Sequence, residues 1–309
     1  MNGFLNMLKP PGLTSHDVVK YVRGLFPGIK VGHGGTLDPG AAGVLPLLLG
    51  KATKFSSYLM DLPKVYRAEL FLGLTTDTED SSGKVIAQKK EPFSLQAEEI
   101  KKVLTSFQGE IEQVPPMYAA IKQKGRKLYE YARKGITVQR SARTVQIYSI
   151  KMLDYFPPER VLLEVKCSKG TYIRTLCAQI GTALGCGGHM SFLLRKAVGG
   201  FVLSQARILD DPSFSGDVER ARRALLPLDF PFHGREFLLL EKVDIKKLFQ
   251  GKYISFKELH TKAGDALGEP VDEKILPVYT TAREFVGLAR WKFDRTVGFQ
   301  LKSEKMVRI

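Results

Sequence analysis

The residues best placed for chemistry lie in one short segment, Val31-Gly32-His33-Gly34-Gly35-Thr36-Leu37-Asp38-Pro39-Gly40-Ala41-Ala42-Gly43. One carboxylate and one imidazole sit there among glycines, which let a backbone approach a ligand closely and adopt φ values other residues avoid. A phosphate cradle is the first chemistry to test. A P-loop requires glycine at position 45 and Ser or Thr after Gly50-Lys51, but the chain has Leu45 and Ala52. No GxGxxG joins a strand to a helix either, so nucleotide hydrolysis fits poorly. Asp38 has no second carboxylate nearby in sequence to form a glycosidase-type pair. Pro39 confines Asp38 to extended geometry, which would fix the direction of its side chain. Two readings are open: an Asx-type turn, common for Asp-Pro-Gly, or a carboxylate aimed at a substrate.

A second concentration runs from Met117 to Lys151. Lys122, Lys124, Arg126, Lys127, Arg133, Lys134, Arg140, Arg143 and Lys151 stand against a single acid, Glu130, with Tyr118, Tyr129, Tyr131 and Tyr148 interleaved. Lysine and arginine pair with phosphates and release counterions, while aromatic faces stack on unpaired bases. A solvated basic face is the ordinary account of a charge run. Nine cations against one acid is too lopsided for it, and the stretch reads as an RNA contact, specific for a polyanion but not for one RNA.

Composition agrees. Lys+Arg number 47 against 32 Asp+Glu, a formal charge of +15, which points to nucleic acid or an anionic membrane. The most apolar run, Val44 to Leu49, falls far short of the ~20 residues a spanning helix needs. The opening MNGFLNMLKPPG lacks a basic region followed by a long apolar one, so a cytoplasmic location is expected. The three cysteines, Cys167, Cys177 and Cys186, form no CxxC pair, which argues against disulfides and zinc ribbons. Cys186 and His189 would need two further ligands, so no metal is expected.

These residues must be carried by a mixed α/β framework. The pattern predicts a strand at 4–8 ended by Pro10-Pro11, then a helix capped by Thr14 with Val18, Val19 and Val22 on its apolar face. Strands are expected at 44–49, 64–72, 144–153 and 161–167. Helices are expected at 94–109, capped by Ser94, and from Thr171 toward Leu184. Residues 210–235 read as a linker, and 236–309 as a small, mostly β module. With 309 residues, two domains are expected: 1–230 and 236–309.

The glycine-rich loop, from Gly32 to Pro46, resembles the catalytic loop of the TruB family of tRNA pseudouridine synthases. Lys9-Pro10-Pro11-Gly12, Lys64-Val65-Tyr66-Arg67-Ala68, Gly170-Thr171-Tyr172-Ile173-Arg174 and His189 to Arg195 resemble further segments of that family, in the family's order. More weakly, Leu248 to Tyr253 and Phe285 to Ala289 are similar to the PUA RNA-binding module that often follows it.

The resemblance implies an α+β pseudouridine synthase fold with a mixed, largely antiparallel sheet flanked by helices, plus a small β-barrel-like PUA domain. It implies isomerisation of uridine to pseudouridine at position 55 in the tRNA T loop, with no cofactor or metal. Asp38 would be the nucleophile, attacking either C6 of uracil or C1′ of the ribose, and Arg174 its paired cation. Tyr66 would stack on the target base, its hydroxyl serving proton removal. Tyr172 and Leu193 would line the pocket, and His33 would contact the opened T loop or make only a loop hydrogen bond. The 117–151 stretch would correspond to an insertion that closes over the RNA. The implied partner is the T stem-loop of tRNA, engaged by a monomer without an obligate protein partner. Two other readings stand beside this one: a non-catalytic RNA-binding protein or RNA chaperone of the same fold, and a guide-RNA-dependent synthase. The zinc signature of a base deaminase is absent.

Overall fold

The computed structural model describes residues 1–119, 121–123, 125–132, 134–136, 138–209, 218–263 and 268–307. Strand β1 (Gly3–Lys9) leads through the proline turn into α1 (Ser15–Leu25). Thr14 caps that helix in a capping box: its hydroxyl accepts from Asp17 N, and the Asp17 carboxylate accepts from Thr14 N. Strands β2 (Val31–His33) and β3 (Ala42–Leu49) flank the glycine-rich loop. Helix α2 (Ser56–Asp61) precedes β4 (Lys64–Leu72), and β5 (Leu74–Thr76) and β6 (Val85–Gln88) form a hairpin. Next come α3 (Ala97–Ser106), β7 (Gly109–Gln113), the short hairpin β8 (Lys122–Gln123) and β9 (Arg126–Lys127), and α4 (Leu128–Ala132). Strands β10 (Arg143–Phe156) and β11 (Arg160–Cys167), helix α5 (Ile173–Ala183), and strands β12 (Gly188–Val198) and β13 (Phe201–Val202) complete the first half.

These strands form a nine-stranded sheet in the order β1-β3-β12-β4-β11-β10-β7, with β2 on β3 and β13 on β12. Only the β3–β12 pairing is parallel, so the sheet is mixed and largely antiparallel, as expected. One face is apolar by alternation. Ala68, Leu70 and Leu72 of β4 and Val161, Leu163 and Val165 of β11 pack against Ile100 and Leu104 of α3 and Leu176 and Ile180 of α5. That packing fixes α5, and with it Arg174, above the centre of the sheet.

After α6 (Val218–Arg223), a second sheet is ordered β14-β16-β17-β18-β15. It comprises β14 (Leu238–Leu240), β15 (Ile254–Ser255), β16 (Ile275–Thr280), β17 (Phe285–Asp294) and β18 (Gly298–Met306), with α7 (Lys242–Phe249) and α8 (Phe256–Ala263) beside it. Trp291, Leu248, Leu259 and Leu301 share its core.

Two expectations are corrected. Helix α3 is capped by Gln96, not Ser94: the Glu99 carboxylate accepts from Gln96 N at 2.6 Å, and Glu99 N donates to the Gln96 carbonyl at 3.1 Å. The stretch following α6 is no loose linker. Phe4 and Leu226 exchange main-chain hydrogen bonds at 2.8 and 2.9 Å, and Phe232 is buried against Phe4 and Phe55 in one cluster. Among the described residues, no helix is long and apolar enough to cross a membrane.

Candidate active site

Asp38 makes its turn with the main chain. Ala41 N donates to the Asp38 carbonyl at 3.1 Å, closing a β-turn over Asp38-Pro39-Gly40-Ala41 and leaving the carboxylate for other partners. Buried anchors hold the loop from below. Ser15 Oγ accepts from Leu37 N at 2.8 Å and donates to the Leu37 carbonyl at 3.2 Å. The Pro39 carbonyl accepts from Gly12 N at 2.9 Å and from Lys9 Nζ at 3.1 Å. Lys9 also donates to the carbonyls of Pro10 and Leu13, at 2.8 and 2.6 Å. Burial lowers Lys9 to about 8, opposed by the nearby Asp38 carboxylate.

Arg174, in the first turn of α5, supplies the carboxylate's partner. Its Nε meets Asp38 Oδ2 at 3.1 Å, and its Nη1 meets Asp80 Oδ2 at 3.4 Å. Its Nη2 donates to the Tyr118 carbonyl at 3.2 Å. The Arg174 side chain is 6% exposed and that of Asp38 39%, so the guanidinium lies beneath and the carboxylate is partly open to solvent. Burial raises Asp38 above the ordinary carboxylate range, Arg174 opposes that shift, and Asp80 adds to it.

Asp80 escaped the sequence reading. Its Oδ1 accepts from Thr78 Oγ1 at 2.8 Å, Ser82 N at 2.9 Å and Ser82 Oγ at 2.5 Å, which aims Oδ2 at the arginine. In sequence, Asp80-Ser81-Ser82-Gly83 reads only as a polar turn, and nothing in it indicates a partner on α5. Gln113 was missed likewise. Almost fully buried at the end of β7, it accepts from Tyr172 N at 2.9 Å and donates to the Tyr172 carbonyl at 3.2 Å, fixing the entry to α5.

Tyr66, on β4, packs against the core cluster that contains Leu37, Leu193 and Ile173. Burial raises its hydroxyl, and the charges of Arg195 and Asp38 are close enough to contribute. Leu193 is buried on β12, paired in register with Ala68. Tyr172 is raised by burial, with the charges of Arg174, Arg143 and Asp38 also acting on it. Asp38 and Arg174 are thus in contact, Tyr66 and Tyr172 lie within range of the Asp38 charge, and Leu193 shares the core cluster of Leu37 and Tyr66. His33 faces a different neighbour: its Nδ1 accepts from Gly35 N at 3.3 Å, and burial and Arg195 lower its pKa, so it is a neutral ring within the loop.

Of the cations expected to contact RNA, Lys124 and Arg133 lie outside the described residues, as do the side chains of Lys122, Arg126 and Lys127. Arg143 is exposed at the start of β10. Arg140 is partly buried and donates from Nη1 to the Pro115 carbonyl at 2.9 Å. Away from the site, His189 Nδ1 bonds the Leu74 carbonyl at 2.9 Å.

The arrangement, a partly exposed carboxylate backed by a buried arginine and within range of two tyrosine hydroxyls, suits nucleophilic attack by the carboxylate. The N-terminal domain model of the TruB family pseudouridylate synthases matches residues 23–173, and the tRNA pseudouridylate synthase B C-terminal domain model matches 174–232. The chain is 48% identical over 287 residues to tRNA pseudouridine synthase B of Alkaliphilus oremlandii, covering 93% of this chain and 92% of that protein. It is 42% identical over 306 residues to the protein of the same name from Clostridium kluyveri, covering 99% of both. Among solved structures, it is similar to a chain of a Cbf5-Nop10-Gar1 complex, with a TM-score of 0.73 and 28% identity over 98% of this chain and 84% of that one. A chain of an H/ACA RNP bound to a substrate RNA containing 2′-deoxyuridine gives a TM-score of 0.70 and 25% identity over 99% and 85%.

Proposed function

The chain belongs to the TruB family of pseudouridylate synthases, and from that membership we propose that it isomerises uridine to pseudouridine in tRNA, at position 55 of the T loop, with Asp38 as nucleophile. The observation that carries this reading is the Asp38–Arg174 contact at 3.1 Å, with the carboxylate on the open side. The reaction breaks the N1–C1′ bond, turns the uracil, joins C5 to C1′ and releases the C5 proton, while N1 takes up one. Asp38 adds to C6 of the base or C1′ of the sugar, splitting one hard displacement into two easier steps. Arg174 keeps it ionised and aimed against the pull of burial. Tyr66 stacks on the uracil and its hydroxyl takes part in proton removal, while Tyr172 and Leu193 wall the pocket. The target base stacks inside the folded elbow of tRNA, so it is flipped outward, at a cost of a few kcal/mol of lost stacking. Arg143 and the cations of 117–151 bind the T stem-loop, and residues 236–309 act as a PUA-like RNA-binding domain.

The test is pseudouridine formation on a T-arm transcript by the wild type and Asp38→Asn. The wild type should turn over and the variant should be inactive while still binding. If both bind and neither reacts, the reading of a stand-alone synthase fails. The likeness to chains of H/ACA complexes favours one further reading, a synthase that needs a guide RNA. Turnover of bare tRNA by the purified chain would exclude it.

A further inference from the structure

Arg195 is 1% exposed, and among the described residues no carboxylate pairs with it. It sits on β12 opposite Tyr66 of β4, beside a register shift between Arg195 and Ala197 that re-aims the strand. Its Nε donates to the Val44 carbonyl at 2.8 Å, Nη1 to Thr36 at 3.2 Å and Nη2 to Gly35 at 3.1 Å. Across the strand pair its charge also acts on the Tyr66 hydroxyl. The groups around it that feel its charge are Lys9, Lys64 and His33, none of which can neutralise it. A buried guanidinium satisfied by three main-chain carbonyls forms a rigid planar fork, and lysine cannot reproduce that geometry. The glycine-rich loop thus turns carbonyls inward onto a cation, the reverse of a phosphate cradle, which presents N–H groups.

We propose that Arg195 is a positioning residue of the isomerisation, holding the Tyr66 phenol and the loop that carries Asp38 in one fixed frame. This rests on the assignment of Asp38 and Tyr66 to the reaction. Binding of the T arm does not depend on the frame, whereas the placement of the ring relative to the attacking carboxylate does. A displacement of about 1 Å at such a centre costs about 10²-fold in rate.

The experiment is a cycle of Arg195→Lys, Tyr66→Phe and the double variant, with kcat and KM measured on a T-arm transcript and melting temperatures recorded for each protein. Arg195→Lys should lower kcat about 10²-fold with KM within about threefold of wild type. Tyr66→Phe should lower kcat about 10²-fold, and the double variant should fall no more than about threefold below the worse single one. Losses that multiply toward about 10⁴-fold would overturn the proposal. So would a loss confined to KM, or full activity in either single variant. Should Arg195→Lys fail to fold, Arg195→Gln, which keeps two donors for the loop carbonyls, takes its place in the same cycle. An inactive wild type would defeat the assignment of the reaction itself, a result distinct from all of these.

Discussion

Arg174 divides its guanidinium among Asp38, Asp80 and the Tyr118 carbonyl, so two carboxylates share one buried cation. Burial and Asp80 both raise Asp38, and Arg174 is the largest influence opposing them. The sign follows. A raised carboxylate prefers its proton, the nucleophile of the proposed reaction must have lost it, and under that proposal activity falls as pH drops through that raised value. The acid limb of kcat/KM should lie above the ordinary carboxylate range. Arg174→Gln removes the opposing charge and should move the limb to higher pH. Arg174→Lys keeps the charge but loses the fork, and should move it less. The pH–rate profiles of the three proteins decide this, and a limb that stays in place would assign the titration to another group. Asp80→Asn removes a charge that raises Asp38, so its limb should move to lower pH.

At the scale of elements, the parallel pairing of β3 with β12 brings Gly43 opposite Arg195. A Cβ at Gly43 would lie 2.3 Å from the Arg195 carbonyl oxygen and 2.6 Å from its nitrogen, and φ there is 123°. Gly43→Ala should therefore destabilise by about 3 kcal/mol or more, combining an unfavourable backbone with overpacking. At Gly40 nothing stands within 4 Å of the added carbon, so Gly40→Ala should stay within about 0.5 kcal/mol of wild type. Urea melts of the two proteins check the contrast. The loop's glycine content was visible in the sequence, but not which glycine was obligatory, because that depends on a strand more than 150 residues away in the chain. Strands β4 and β11 were legible because their alternation records which face meets the helices. The cap of α3 was misread because Ser94 and Gln96 both precede an acidic first turn, and only the Glu99 contact chooses between them. The pairing of Asp38 with Arg174, which are in contact, was implied by the family resemblance of the segments around them. Asp80, Gln113 and the lattice of carbonyls around Arg195 were not, since each acts through distances that sequence does not carry.

Over the whole molecule, the two sheets share a core. Phe4, Phe55, Val198, Phe201 and Phe232 of the first half pack in one cluster with Leu288 and Val307 of the second. Phe55 lies 5.6 Å from Phe232 and 5.9 Å from Phe285 between ring centroids, and Phe232 stacks on Phe285 at 6.0 Å. Polar contacts border this seam: Tyr58 donates to Glu304 at 2.8 Å, Lys54 to the Met306 carbonyl at 3.0 Å, and Tyr279 to Asp229 at 3.0 Å. An interface of fully buried phenylalanines and leucines couples the stabilities of both parts, so neither should open alone. The chain's single tryptophan, Trp291, is buried in the second sheet and reports on that half, whereas far-UV circular dichroism reports on all of it. The two signals should therefore give coincident urea transitions. Leu288→Ala removes a fully buried side chain at the seam and should shift both midpoints together, by about 2–5 kcal/mol. Were the tryptophan transition to move while the dichroism kept a separate, unshifted phase, the second sheet would be an independently folding unit. Its orientation toward the Asp38 opening would then be set by bound RNA and not by the protein's own core.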